Sequence, residues 1–207
     1  MIRRVLIFLL AAFLLACNED DSSEPNSDNF NREAMLENWA DNIIIPAYNN
    51  YESKLLQLKT SKDSFLAFPN QQNLDELRDS WESAYLAWQR VSMFEIGKAE
   101  EIALRDYSNI YPTDIDNIEA SISSGEYNFE LPSNRDIQGF PALDYLLFGT
   151  SSNDQGILSI LQKAEYAKYL SDLVDRLESI SGLVIEDWKK GYRDEFVSKS
   201  GSDAASS

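Results

Sequence analysis

Residues 73–94 read NLDELRDSWESAYLAWQRVSMF. Leu74, Leu77, Trp81, Tyr85, Trp88, Val91 and Phe94 recur at intervals of three or four, so they share one face of an α-helix. Asn73 is a candidate N-cap, with Glu76 three residues later in the position of a capping box. Gly97 is the expected stop. This is the clearest amphipathic element of the chain, and it sets the class of the fold as helical. Its aromatic stripe Trp81, Tyr85 and Trp88 reads as core, with a ligand platform as the alternative.

The flanking segments carry the same period. Met35, Trp39, Ile43, Ala47, Tyr51, Leu55 and Leu58 form one stripe, interrupted by Pro46. A proline inside a helix lacks the N–H its turn requires, so a kink or two abutting helices is expected there. Downstream, residues 99–110 suit a short helix. Thr113 can cap another through Ser123, closed by Gly125, and 126–138 reads as loop. A compact helix is expected over about 141–148, bounded by Gly139 and Gly149. The last long helix begins near Ser159 or Lys163, with Tyr166, Leu170, Leu173, Leu177, Ile180, Val184 and Trp188 on its face. No useful strand alternation appears. The expected fold class is all-α, an antiparallel up-and-down helical bundle.

Composition narrows the function. The chain has 207 residues, 35 acidic against 18 basic, and a net charge of −17. Such a balance argues against nucleic acid as a partner, because phosphate binding rests on Lys and Arg. No histidine is present, which removes Ser-His-Asp and Cys-His catalysis and His-ligated metal centres. The single cysteine permits no internal disulfide.

That cysteine ends a leader. Arg3 and Arg4 precede an apolar run from Val5 to Ala16, shorter than the roughly 20 residues that span a bilayer. Leu14-Leu15-Ala16-Cys17 resembles a bacterial lipobox, with Cys17 as the lipidation site. The expected organisation is a signal peptide over 1–16, an acidic flexible tether over 17–29, a helical domain over 30–200, and a disordered tail or truncation point over 201–207. Loss of Arg3 and Arg4 takes the net charge from −17 to −19. The tether's acids either serve export to the cell surface or simply solvate a linker.

Catalytic patterns are scarce. Asp114-Ile-Asp116-Asn117-Ile-Glu119 lacks the glycine and the distant Glu of a calcium loop, and reads as acids at a helix N-terminus. The stretch Gly139-Phe140-Pro141-Ala142-Leu143-Asp144 is different: one carboxylate sits on a short, strongly apolar helix, where it would need a partner. It is read either as a core helix with a stray acid or as a site.

This stretch, with Tyr145-Leu146-Leu147-Phe148-Gly149 behind it, resembles the signature of the imelysin-like, or peptidase M75-like, family. Trp81 to Arg90, Phe94-Glu95-Ile96-Gly97 and Tyr111-Pro112-Thr113-Asp114 resemble further family stretches in the same order. In the family's G-x-H-x-x-E motif, Pro141 stands here in place of the histidine and Asp144 in place of the glutamate. The resemblance implies one bundle of a two-bundle architecture. It implies a cell-envelope, outer-membrane lipoprotein, periplasmic or surface-exposed, held to the membrane by its lipid anchor. Its role would be that of a non-enzymatic binding or accessory protein linked to iron or other divalent metal uptake, with envelope uptake proteins as partners. A metallopeptidase-like enzyme and a protein-interaction scaffold are the alternatives. Asp144, Gly139, Pro141, Glu95, Tyr111 and Asp114 are the expected binding residues.

Overall fold

The computed structural model describes residues 30–201 of the chain. The leader, Cys17, the tether through residue 29 and residues 202–207 lie outside the described residues. The described part is built of helices and turns without a strand: α1 (Arg32–Trp39), α2 (Ile45–Ala67), α3 (Gln71–Trp88), α4 (Lys98–Glu101), α5 (Leu104–Ser108), α6 (Ile115–Ser124), α7 (Gly139–Asp144), α8 (Asp154–Leu161), α9 (Ala164–Asp187) and α10 (Arg193–Ser198). None is long and apolar enough to cross a membrane.

The frame is three long helices, with α2 packed against both α3 and α9. The short connection between α2 and α3 makes them antiparallel neighbours. From α2 come Tyr48, Tyr51, Leu55, Leu58 and Phe65. From α3 come Leu74, Leu77 and Trp88, and from α9 Leu170, Leu173, Leu177, Ile180 and Val184. The α9 stripe is the expected one. The N-terminal stripe is displaced. A π-helical turn, Ala40–Ile44, separates α1 from α2 and places Pro46 in the first turn of α2, where its missing N–H costs nothing. The wider winding of the π-turn keeps Leu36, Ala40, Ile44 and Tyr48, four apart, on the buried side, while Trp39 and Ile43 stay 44% and 46% exposed.

Two caps also moved. Asn70, not Asn73, caps α3: the Asn73 N–H donates to Asn70 Oδ1 at 3.0 Å. The Asn73 amide instead donates to the Phe68 carbonyl at 2.8 Å, sealing the end of α2. Asp114, not Thr113, caps α6, accepting the Asn117 N–H at 3.0 Å, and Gly125 closes that helix as expected. Gly97 does not end α3, which stops at Trp88. It opens α4 with its Cα pressed against the Tyr192 ring.

Lys62 is buried on α2, facing α9. Its ammonium donates to Asp175 at 3.0 Å and Ser171 at 3.3 Å, and pairs with Asp63 at 2.9 Å. A buried cation is tolerated when its donors are satisfied in this way.

Candidate functional site

Two residues of α3 hold the segment 139–149. The Trp81 indole N–H donates to the Phe140 carbonyl at 3.3 Å. Arg78 donates to the Leu147 carbonyl from Nε at 3.0 Å and from Nη2 at 2.8 Å. Carbonyls at a helix end lack intrahelical partners, and a guanidinium fork suits them. Arg78 also pairs with Asp154 at 2.9 Å and lies over the Phe148 ring at 4.9 Å. Arg78 and Trp81 are three residues apart, hence on one face, and so a single turn of α3 fastens both ends of the segment.

Entry into α7 depends on Gly139. Its φ is +76°, and a Cβ there would stand 2.3 Å from the Ser108 carbonyl oxygen. Only glycine allows that approach without displacing α5.

Between α3, α7 and the 109–115 loop lies a cleft of about 570 Å³. Trp81, Tyr85, Tyr111, Phe140 and Tyr145 contribute its aromatic walls, and Asp144 is its sole carboxylate, with no Lys or Arg in the lining. The Trp81 and Tyr85 rings stack with centroids 5.6 Å apart and planes within 8°. Tyr85 meets Phe140 at 5.2 Å. Tyr111 forms an exposed rim. A wider groove of about 920 Å³, floored by Ile43, Leu86 and Met93, contains none of the expected site residues.

No described residue hydrogen-bonds or pairs with the Asp144 carboxylate. Partial burial in this apolar setting pushes its pKa above the usual carboxylate value, and no charged neighbour contributes. Glu119, on α6, is held firmly. Its Oε1 accepts the Tyr145 hydroxyl at 2.6 Å, and its Oε2 accepts the Tyr166 hydroxyl. Burial and then that carboxylate raise both phenol pKa values, Tyr166 to about 12.

The structure thus brings Tyr111, Pro141 and Asp144 together in one cleft, with Gly139 beneath as the hinge of α7. It does not bring in Glu95 or Asp114. Glu95 accepts the Arg105 backbone N–H at 3.3 Å, away from the cleft, and burial raises its pKa. Asp114 is spent on its cap. Of the α3 stripe, Trp88 is core as expected, whereas Trp81 and Tyr85 turn toward the cleft. The clasp on Glu119 carried no sequence signal, because Tyr145 and Tyr166 are far from it along the chain.

The cleft does not suit a metal ion held by this chain alone. Hard cations take about six oxygen ligands, and Asp144 is the only carboxylate here. Among the described residues no three of His, Cys, Asp and Glu converge anywhere.

A family model described as Imelysin, Peptidase M75, matches residues 44–206. Iron-regulated protein A of Synechococcus elongatus is 22% identical over 173 residues, which cover 82% of this chain and 46% of that protein. The crystal structure of a protein described as an iron-regulated protein A precursor, from Parabacteroides distasonis, superposes with a TM-score of 0.72 at 21% identity, covering 90% of this chain and 54% of that one. An imelysin-like protein from Psychrobacter arcticum gives a TM-score of 0.49 at 19% identity, over 82% of this chain and 57% of that one. The chain spans about half the length of the relatives it matches.

Proposed function

We propose that this chain, which belongs to the imelysin family, is a non-enzymatic binding or accessory protein of the cell envelope in iron uptake, and that the Asp144 cleft is where it binds. One observation carries this reading. Asp144, without a partner among the described residues, stands in an aromatic cleft, on a helix whose sequence resembles the family's signature. Such a pocket, mostly aromatic with one charged group that no protein donor claims, is the usual form of a small-ligand site.

The link to iron comes from the relatives, two of which are named as iron-regulated proteins. Iron would be the cargo of the system rather than an ion seated in this cleft, for want of ligands there. The peptidase alternative draws on the family's description. Against it stands the chain's lack of histidine, with Pro141 in the motif position of that residue. A metal-activated water needs several ligands around one ion.

Cys17 would carry the lipid anchor, placing the protein at the outer membrane beside uptake partners. Two or more acyl chains make such anchoring stable. Incorporation of a palmitate analogue, lost in Cys17→Ser, is the expected result.

The decisive experiment is deletion of the gene followed by measurement of cell-associated iron under iron limitation. Iron falls in the deletion strain and returns with the wild-type gene but not with Asp144→Ala. Unchanged iron content in the deletion strain overturns the proposal. Chelator-sensitive peptide cleavage by purified protein, abolished by Asp144→Ala, would establish the enzyme instead.

A further inference from the structure

The lining of the cleft narrows what can enter it. An anion would meet Asp144 with no Lys or Arg in the walls to offset the repulsion. A hard metal ion would find one carboxylate where it needs several oxygens. A wholly apolar ligand would strip water from a carboxylate and give it nothing in return. An organic cation avoids all three difficulties. Its charge answers Asp144, and its bulk lies against aromatic faces, which attract cations through their ring quadrupoles.

We propose that the cleft takes an organic cation, an ammonium or guanidinium group on an apolar stem such as a lysine or arginine side chain presents, with Asp144 as its counter-ion and Trp81, Tyr85 and Tyr111 as its walls. Three features support it independently of one another. First, the carboxylate is free. Asp154, close by on α8, is engaged by Arg78 at 2.9 Å and by Gln71 at 2.8 Å, and Glu119 is engaged by two tyrosines, whereas Asp144 has no described partner. Second, the neighbouring ring Phe148, in the turn that follows α7, already carries a cation, the Arg78 guanidinium at 4.9 Å, and the Tyr111 ring at the cleft rim is 87% exposed and open to another. Third, the chain's net charge of −17 raises the local concentration of cations around it. The volume, about 570 Å³, lies within the range of small-ligand sites and exceeds what a bare ion requires.

The inference rests on the cleft being the binding site of the preceding section and adds the class of ligand. Its test uses the full chain and calorimetry, with the intrinsic fluorescence of its four tryptophans, of which Trp81 lines the cleft, as a second readout. The probes are N-acetyl-lysine methylamide and N-acetyl-arginine methylamide, their near-isosteric neutral counterpart N-acetyl-norleucine methylamide, and the bare cations butylammonium and butylguanidinium. The expected result is saturable binding of the cationic probes, with the norleucine probe at least about tenfold weaker. Asp144→Asn, an isosteric change at an exposed residue without a protein partner, should fold as the wild type does and cost the cationic probes about tenfold, a loss of one decade in Kd. Tyr111→Leu should weaken them by a smaller factor, since it removes one exposed ring. Blocked residues binding more tightly than the bare cations would identify a polypeptide-borne side chain as the source. Equal binding would identify a free amine or guanidine. Equal affinity for the lysine and norleucine probes, or indifference to Asp144→Asn, overturns the ligand class while leaving the cleft as a site. If none of the probes binds, both the ligand class and the assignment of the cleft fall. The iron measurement above stands apart from all of these outcomes.

Discussion

Glu119 and Asp144 are both acids of the short-helix region between α4 and α8, yet the fold treats them in opposite ways. Glu119 has each oxygen accepting a tyrosine hydroxyl, one from the residue that follows Asp144 and one from α9. It ties three elements together, and its charge is part of the scaffold. Asp144 ties nothing among the described residues. Partial burial raises its pKa. A carboxylate that stabilises a fold is surrounded by donors, whereas one kept for a ligand is left short of them. Lys62 makes the same point with the opposite sign of charge, being buried only because Asp175, Asp63 and Ser171 receive it.

The harshest way to break the comparison is to remove the platform on which Asp144 stands. Gly139→Ala sets a Cβ 2.3 Å from the Ser108 carbonyl and strains a φ of +76°. A loss of about 3 kcal/mol or more is expected in urea unfolding.

Lys62→Ala comes next. Breaking a buried ion pair costs about 3–5 kcal/mol when the surviving charge stays buried. Asp175 is 45% exposed and can rehydrate, so about 2–3 kcal/mol is the expected loss. Burial pulls the Lys62 pKa down, but the hydrogen bonds to Asp63 and Asp175 outweigh it and leave the pKa raised above 10.5. The raised value means that this contribution is complete below pH 10.5 and disappears as pH rises through the folded-state pKa. The gap between wild type and Lys62→Met should therefore narrow in alkaline melts.

Glu119→Ala should cost about 1–2 kcal/mol, from two charge-assisted hydrogen bonds whose donors can partly rehydrate. Glu119→Gln should lower the tyrosine pKa values seen in ultraviolet titration, because the carboxylate contributes to holding Tyr145 and Tyr166 up.

Asp144→Asn marks the other end of the scale. Stability should change by no more than about 0.5 kcal/mol, and in the stabilising direction. A carboxyl whose folded pKa is raised disfavours the folded state while ionised, and that cost vanishes as pH falls through the folded pKa toward 3.8. The difference between variant and wild type should shrink over the same acid range in thermal melts. A clear destabilisation by Asp144→Asn would mean that the acid belongs to the scaffold after all.

Much of this was legible in the sequence where one helix face decides the matter. The α9 stripe and part of the α3 stripe are buried as the three-and-four spacing required, and Gly125 closes α6 as expected, whereas the cap of α6 is Asp114 and not the expected Thr113. Pro46 announced a discontinuity. Its form, a π-turn ahead of the proline, shifted the buried stripe by one residue and could not be read from spacing. The Asn70 cap was missed because the polar run 70–73 offers several candidates, and the choice depends on how α2 ends against it. Of the residues that line the cleft, Tyr111, Pro141 and Asp144 were named through motif resemblance. Trp81 and Tyr85 were seen as a stripe whose use stayed open. Glu95 and Asp114 were drawn in by proximity to family stretches, and their side chains serve local backbone instead.

By itself, the amino-acid sequence determined an all-helical chain, strongly acidic, without histidine and with one acid on an apolar helix. Those properties depend on composition and on spacing within single elements. Tertiary structure alone decided that Arg78 and Trp81 would clamp that helix, that two distant tyrosines would claim Glu119, and that Asp144 would be left unclaimed among aromatic rings. Whether a carboxylate is scaffold or site depends on donors brought in from other helices, and long-range packing is what brings them.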